Sequence, residues 1–330
     1  MKVVADDKIP FIRDGLETLA DEVVYLPGAE ITNEDVRDAD ALVVRTRTRC
    51  DSRLLSGSSV RLIITATIGF DHIDTLYCES HGIRWTNCPG CNAMSVCTYV
   101  KNALIHLGLW RRGLTLGIVG VGHVGSLVAK AAMGQGMTVL LNDPPKHDQG
   151  IFFGETGYCS LEEIARKADI ITFHTPLTKE GRYPTYHLAD SLFLDSLRKK
   201  PVIINASRGG VVDEQALLAA YDRGQVSGMI IDTWEAEPDI NLSLLRKAAI
   251  STPHIAGYSA NGKMNASMMA LNYIIETFQL EKKYFPVGQK IRGELLTPET
   301  LCDDSEKLKS NPKLFEWFRG HYPVRVEECV

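Results

Sequence analysis

Apolar, β-branched runs recur along the chain and alternate with amphipathic stretches. VVAD (3–6), VVYL (23–26), ALVVR (41–45) and LIITAT (62–67) predict buried parallel strands, with helical patterns near 10–20, 33–38, 51–56 and 71–81 between or after them. From Asn92 to Gly108 the period lengthens: Val96, Val100, Ala103, Leu104 and Leu107 fall at helical spacing and predict a long helix that bridges two lobes. A second series follows, with strands at 116–120, 138–143, 169–174, 201–207, 228–234 and 249–254. Helices are predicted near 124–135, 160–167, 190–198, 213–223 and 241–247. A further helix, roughly 259–281, carries Met264, Met268, Leu271, Ile275 and Phe278 on one face.

Strands that alternate with helices imply parallel sheets covered on both faces. Six strands in this rhythm are what a doubly wound dinucleotide domain requires. The expected fold is therefore α/β, with two Rossmann-like or flavodoxin-like parallel-sheet lobes, a cleft between them, and the dinucleotide domain inserted in the substrate domain. The reading assigns residues 1–91 and 257–330 to the substrate domain and 92–256 to the nucleotide domain. The weakly periodic stretch 282–330 reads as a short accessory tail, an oligomer contact.

Composition narrows the classes. The chain has 330 residues, 45% hydrophobic and 23% charged, with a formal net charge of −5, so no excess of cations is available to neutralise phosphates of a nucleic acid. No apolar run approaches the roughly 18 residues of a membrane span. The opening MKVVADDKIPF has two early acids and no signal-peptide core, which predicts a cytoplasmic protein. Eight cysteines in this length do not suggest a disulfide scaffold.

The strongest local signal is Gly120-Val121-Gly122-His123-Val124-Gly125, which closes an apolar strand and opens an apolar helix. Alone, such a pattern is weak. In this context Gly120 permits a tight turn, Gly122 a close backbone approach to a pyrophosphate, and Gly125 close helix–strand packing. His123 and Val124, within the loop, are counted with the cofactor residues. Asp143, at the end of the next strand, would accept hydrogen bonds from a ribose and repel a 2′-phosphate, which favours NAD over NADP.

Three further residues follow later strands: Arg208 after PVIINAS, Glu237 after GMIIDTW, and His254 after the last short strand. Ligands bind at the carboxyl ends of such strands. An arginine can grip a carboxylate bidentately, a histidine can take a hydroxyl proton near neutral pH, and a carboxylate beside that histidine fixes its tautomer. Singly, each residue has an ordinary explanation as a solvated charge, a turn or a structural hydrogen-bonder. The one-dimensional pattern does not show that the three meet.

Arg45, Arg47 and Arg49 at extended spacing would present three cations on one face, either a seat for a substrate phosphate or a solvated strand end. Cys88 and Cys91 have CxxC spacing but precede the bridging helix instead of opening a thioredoxin-like helix, and no second Cys/His pair lies at zinc spacing. They read as structural, and no metal is expected. His72, His123 and His174 lack a carboxylate placed as Glu237 is.

Through GIVGVGHVG, FHTPLT, NASRGGVVDE, DTWEAEP and PHIAG the chain resembles the D-2-hydroxyacid dehydrogenases over nearly its whole length. TATIGFDHID, CPGCNAMSV, LLNDPP, HTPLTKEGRYPTYHLAD and HIAGYS resemble one branch, whose substrate is a small phosphorylated 2-hydroxy acid. The resemblance implies Arg208, Glu237 and His254 as catalytic, with His254 the acid/base. It implies NAD contacts at Asp143, Thr175, Ala206, Ser207, Arg208, Asp232 and Gly257, and substrate contacts at Thr46, Thr67 and Tyr258. Thr46 stands where the branch has serine and keeps the hydroxyl. The tail is shorter than the dimerisation domain of that branch, although a homodimer is still expected. The alternatives are a sibling activity on phosphoglycerate, glycerate or hydroxypyruvate, and a non-enzymatic NAD-sensing corepressor.

Overall fold

The structure, a computed structural model, describes residues 1–281 and 292–327; the remainder of the predicted 282–330 tail lies outside the described residues. The chain forms two compact units, one built from residues 1–92 with the segment that starts at Ser259, the other from Ala93–Tyr258 with the segment that starts at Glu294.

The first unit carries strands β1 (Lys2–Asp6), β2 (Glu22–Leu26), β3 (Ala41–Val44), β4 (Leu62–Thr65) and β5 (Arg84–Thr86), with helices α1 (Arg13–Leu19), α2 (Asn33–Val36), α3 (Ser52–Leu55) and α4 (Thr75–Ser80). The sheet is parallel in the order β2-β1-β3-β4-β5. β3 and β4 are buried on both faces, as continuous apolar runs require. Apolar layers lie on each side: Val3, Val43 and Ile64 in one, Val4, Leu42 and Ile63 in the other. β5 is a strand the hydrophobic pattern did not announce, because its three residues face partly outward.

The second unit opens on α5 (Ala93–His106). β6 (Thr115–Val119), α6 (His123–Gly134), β7 (Thr138–Asn142), α7 (Pro144–Asp148), α8 (Leu161–Lys167) and β8 (Ile170–Phe173) follow. Then come α9 (Ser191–Asp195), β9 (Val202–Asn205), α10 (Glu214–Asp222), β10 (Gly228–Ile231), α11 (Leu242–Lys247) and β11 (Ile250–Ser251). The six strands are parallel in the order β11-β10-β9-β8-β6-β7, a doubly wound sheet whose order reverses between β6 and β8. Side-chain caps begin several of its helices: Ser160 for α8, Asp190 for α9, Asp213 for α10 and Asn241 for α11 each accept a backbone N–H of the first turn. α12 (Ala260–Phe278) belongs to the first unit. It is capped by Ser259 and ends where Gln279 turns left-handed at φ 52°.

The C-terminal stretch departs from the reading as an accessory tail of the substrate domain. It holds β12 (Glu294–Leu295), α13 (Pro298–Ser310), a 3₁₀ turn (Pro312–Leu314), α14 (Phe315–Gly320) and β13 (Arg325–Val326), and it packs with the second unit. The reason is burial. Leu301 joins the core layer of Val100 and Leu116, while Leu308 and Phe315 join that of Phe173 and Trp234. Ser305 Oγ accepts the Ser251 N–H at 2.9 Å, so α13 covers the short edge strand β11. The apolar residues of the stretch are too sparse to make the helical period visible in one dimension.

The arginine run also departs from expectation. β3 ends at Val44, and a turn closed by Thr48 N–H on the Arg45 carbonyl (3.3 Å) takes the next residues out of the strand. Arg45 forms a two-point ion pair with the buried Asp6, Nε and Nη2 each 3.1 Å from its oxygens, and Arg49 pairs with the N-cap Asp51 at 3.2 Å. The three cations thus do not share an extended face. No disulfide joins the cysteines among the described residues, and burial pushes the Cys88 thiol up to about 12. No helix among the described residues is long and apolar enough to cross a membrane.

Candidate active site

The glycine loop joins β6 to α6. Gly120 has φ 88°, a left-handed conformation that suits glycine, and a Cβ there would meet the His174 carbonyl carbon and oxygen at 2.8 Å. A Cβ on Gly125 would lie 2.0 Å from the Gly120 carbonyl oxygen, so the helix can start this close only on glycine. At Gly122 a Cβ meets nothing, and α6 begins there with no side chain on its first amides. These amides, followed by Val124, form the open N-terminus that an anionic diphosphate uses. Thr175 lies against Gly120, and its buried Oγ1 has no hydrogen-bond partner among the described residues. A close-backbone cradle with an orphaned hydroxyl fits a dinucleotide.

Asp143 caps α7, which the sequence reading missed. Its Oδ2 accepts the Val121 N–H at 2.9 Å and its Oδ1 the Lys146 N–H at 3.2 Å. The acid is thus locked beside the glycine loop, with Lys146 Nζ reaching back to the Val121 carbonyl.

Three adjacent strands bring up the second group. His254, after β11, has φ 57°, rare for a residue with a Cβ and costly by about 1–2 kcal/mol. Asp232, after β10, holds it there. Its backbone oxygen takes the His254 N–H (2.9 Å), and its carboxylate takes the Ile255 and Ala256 N–H groups at 2.8 and 3.0 Å and the Thr252 hydroxyl at 2.6 Å. The Tyr99 hydroxyl donates in turn to Thr252 Oγ1 (2.7 Å). Asp232 is only 1% exposed, and both its oxygens are engaged with the histidine loop, which it organises from inside. Burial pushes its carboxyl up, against the pull of His254 and these hydrogen bonds.

His254 Nδ1 lies 2.9 Å from Glu237 Oε2 and 3.0 Å from Oε1. A carboxylate only accepts, so Nδ1 carries the proton and Nε2 is left as the basic nitrogen. The Trp234 N–H at 3.0 Å fixes Glu237 Oε1. Burial pushes the Glu237 carboxyl up, but the His254 hydrogen bond and charge, the Trp234 amide and Arg319 outweigh it and hold the group below the usual carboxylate range.

Arg208 follows β9. The Ser207 hydroxyl and N–H reach Asn205 Oδ1 (2.9 and 3.2 Å), and Asn205 Nδ2 reaches the Arg208 carbonyl (3.0 Å). The guanidinium Nη1 donates to the Ser207 carbonyl at 2.8 Å. A Cβ on Gly209 would fall 1.8 Å from the Trp234 carbonyl oxygen, so the Arg208 and Glu237 loops lie backbone to backbone. Ala206 is buried beside them, and Gly257 and Tyr258 follow His254, with the Tyr258 N–H on the Ile255 carbonyl at 2.8 Å. In the first unit, Thr46 and Thr67 follow β3 and β4, adjacent strands. Thr46 is exposed, and Thr67 donates to the Gly69 carbonyl at 2.9 Å.

Two of the histidines weighed in the sequence have side-chain partners. His72 Nε2 meets Thr65 Oγ1 at 3.1 Å, and His174 Nε2 meets Thr172 Oγ1 at 3.0 Å, with burial pushing His174 down to about 3. His187, which the sequence reading passed over, contacts Glu235 (3.1 Å) and Asp213 (3.5 Å), and donor atoms of the three lie within 4.8 Å of one another. Arg319 on α14 was also missed. It stands 3.6 Å from Glu237 Oε2, and nothing in FEWFRG marks it as different from a surface arginine.

Beside this group, Glu214 is pushed up to about 7 by burial, with Glu235, Glu237 and Asp213 adding to the effect against the Glu235 N–H. Its folded value thus lies above the roughly 4.3 of an unfolded glutamate. The associated stability is present at low pH and is lost as pH rises through about 7. Glu214→Gln stays neutral and keeps the oxygen that accepts the Glu235 N–H (2.8 Å). It should raise stability at pH 8 by about 1–2 kcal/mol, after allowance for partial hydration, and change it little at pH 4.5. Melting curves at the two pH values check this; an equal effect at both would exclude the buried charge as the cause.

Residues 99–256 match the family model described as D-isomer specific 2-hydroxyacid dehydrogenase, NAD binding domain. The chain is 52% identical to the erythronate-4-phosphate dehydrogenase of Bacteroides fragilis, over 99% of this chain and 97% of that one. The chain belongs to the D-isomer-specific 2-hydroxyacid dehydrogenase family. Within the family it is 40% identical to the erythronate-4-phosphate dehydrogenase of Escherichia coli O81, over 90% of this chain but 77% of that one. A crystal structure of D-lactate dehydrogenase from Aquifex aeolicus, complexed with NAD and lactic acid, superposes with a TM-score of 0.67 at 27% identity, over 88% of this chain and 100% of that one.

Proposed function

We propose that the protein oxidises 4-phospho-D-erythronate at C2 to the 2-oxo-4-phosphate acid with NAD, a reaction that the branch resemblance assigns to pyridoxal phosphate biosynthesis, and that it acts as a cytoplasmic homodimer. One observation carries the chemistry: the Glu237–His254 pair at 2.9 Å, held in a strained turn with Nε2 left basic, in a chain 52% identical to an erythronate-4-phosphate dehydrogenase.

Gly120, Gly122, His123, Val124, Gly125, Asp143 and Thr175 form the dinucleotide cradle, with Ala206, Ser207, Arg208, Asp232 and Gly257 on the same sheet edge. NAD, when bound, supplies the hydride acceptor. Arg208 binds the substrate carboxylate and steadies negative charge on the C2 oxygen. His254 Nε2 takes the C2 hydroxyl proton, and Glu237 stabilises the imidazolium that results. Thr46, Thr67 and Tyr258 complete the substrate contacts. The protein's part in the rate is to orient the hydroxy acid and to hold the His254 base beside it.

A panel of 2-hydroxy acids, with NADH absorbance as the readout, tests the assignment. 4-Phospho-D-erythronate should show the highest kcat/KM. Preference for 3-phosphoglycerate or glycerate would replace the substrate and keep the chemistry. Activity on none would turn the reading toward an NAD-binding regulator.

A further inference from the structure

The C-terminal stretch does more than close a sheet edge. α14 is anchored by Phe315, 1% exposed in the core that also contains Trp234. From its last turn Arg319 directs Nη1 to within 3.6 Å of Glu237 Oε2, the oxygen that His254 Nδ1 approaches at 2.9 Å. The guanidinium is itself partly buried. Tyr258 is a further polar neighbour, and Glu316 on the same helix lies 3.6 Å away. The Tyr258 ring meets that of Tyr322, also from the C-terminal stretch, edge to face at 6.0 Å.

Physical chemistry gives this contact a role. Before the reaction His254 must be neutral, and Glu237 would then be a half-buried anion with no cation from the histidine. Asp232 beneath the histidine loop favours a protonated imidazole, and Glu214 adds acidic charge beside Glu237. Arg319 opposes them with a permanent positive charge on the same carboxylate, while Glu316 partly offsets it.

We propose that Arg319 is a positioning residue of the acid–base site, which fixes the Glu237 carboxylate and Tyr258 together and keeps the Glu237–His254 pair from taking up a proton at neutral pH. The proposal rests on the reading of His254 as the base. It gives the C-terminal stretch a place in the reaction, as the element that completes the charge balance of the pair.

Arg319→Met and Arg319→Lys test it. Histidine ring NMR resonances are titrated in the enzyme free of NAD and substrate, and His254 is assigned by the signal lost in His254→Gln. In Arg319→Met the midpoint should rise by about one pH unit relative to wild type, with Arg319→Lys closer to wild type. The acidic limb of kcat/KM should move by the same amount, with NADH affinity unchanged. A fall in kcat/KM equal at every pH, with an unmoved His254 titration, would mean that the arginine only docks α14 and would overturn the proposal. If Arg319→Met does not fold, Arg319→Lys and Arg319→Gln carry the same comparison. The titration is read without turnover, so a wild-type enzyme inactive on every hydroxy acid would remove the function and leave this test intact.

Discussion

His254→Gln lowers kcat by about 10²–10⁴-fold, the range typical of a lost general base, while NADH binds as to wild type. The amide fills similar space and can still reach Glu237, but it offers no nitrogen able to accept a proton. The φ of 57° at this position is held by backbone and Asp232 contacts that the substitution does not touch, so the loop should keep its shape. Stopped-flow turnover with fluorescence titration of NADH separates the two effects. Parallel loss of turnover and NADH affinity would show that the residue serves the cofactor site, and the acid–base assignment would fail.

The second large effect is expected at a residue with no functional group. Gly209→Ala places a methyl 1.8 Å from the Trp234 carbonyl oxygen, 2.3 Å from its carbon and 2.9 Å from the Glu235 nitrogen. All three are backbone, so no side chain can swing away and the loops must part. Arg208 stands on one side of the contact, and Glu237 lies three residues beyond Trp234 on the other. A displacement of the order of 1 Å between such groups costs roughly 10²-fold in kcat/KM, and overpacking of this kind costs about 1–3 kcal/mol of stability. Gly134→Ala is the control: it sits in the last turn of α6, a Cβ there meets nothing, and it should be neutral or slightly stabilising. Wild-type kcat/KM in Gly209→Ala would mean that the spacing of the two loops does not matter to the reaction.

Much of this was legible in one dimension because the carriers are local. Parallel strands buried on both faces read as unbroken apolar runs, so β1, β3, β4, β6, β8, β9 and β10 stood out, although all but β1 ended one to three residues short of the apolar runs. The glycine loop was visible because the positive φ of Gly120 and the contact of Gly125 with the Gly120 carbonyl lie within six residues. β5, α7 and the C-terminal helices were not, since each is short or held mainly by contacts distant in sequence. Arg45 shows the same limit: its alternation with Arg47 and Arg49 suggested a charged face, and a buried aspartate on another strand claimed it.

By itself, then, the sequence determined the α/β class, the strand–loop–helix of the cofactor site and the residue types for hydroxy-acid chemistry, all properties of neighbouring residues and their period. The union of Glu237 with His254, the backbone approach of Gly209 to Trp234, the inward turn of Asp232 and the reach of Arg319 were decided only by tertiary structure. Each joins residues 17 to 82 positions apart, or matches the shape of two loops from different strands. Such pairings follow from strand order and packing, and strand order leaves no periodic trace along the chain.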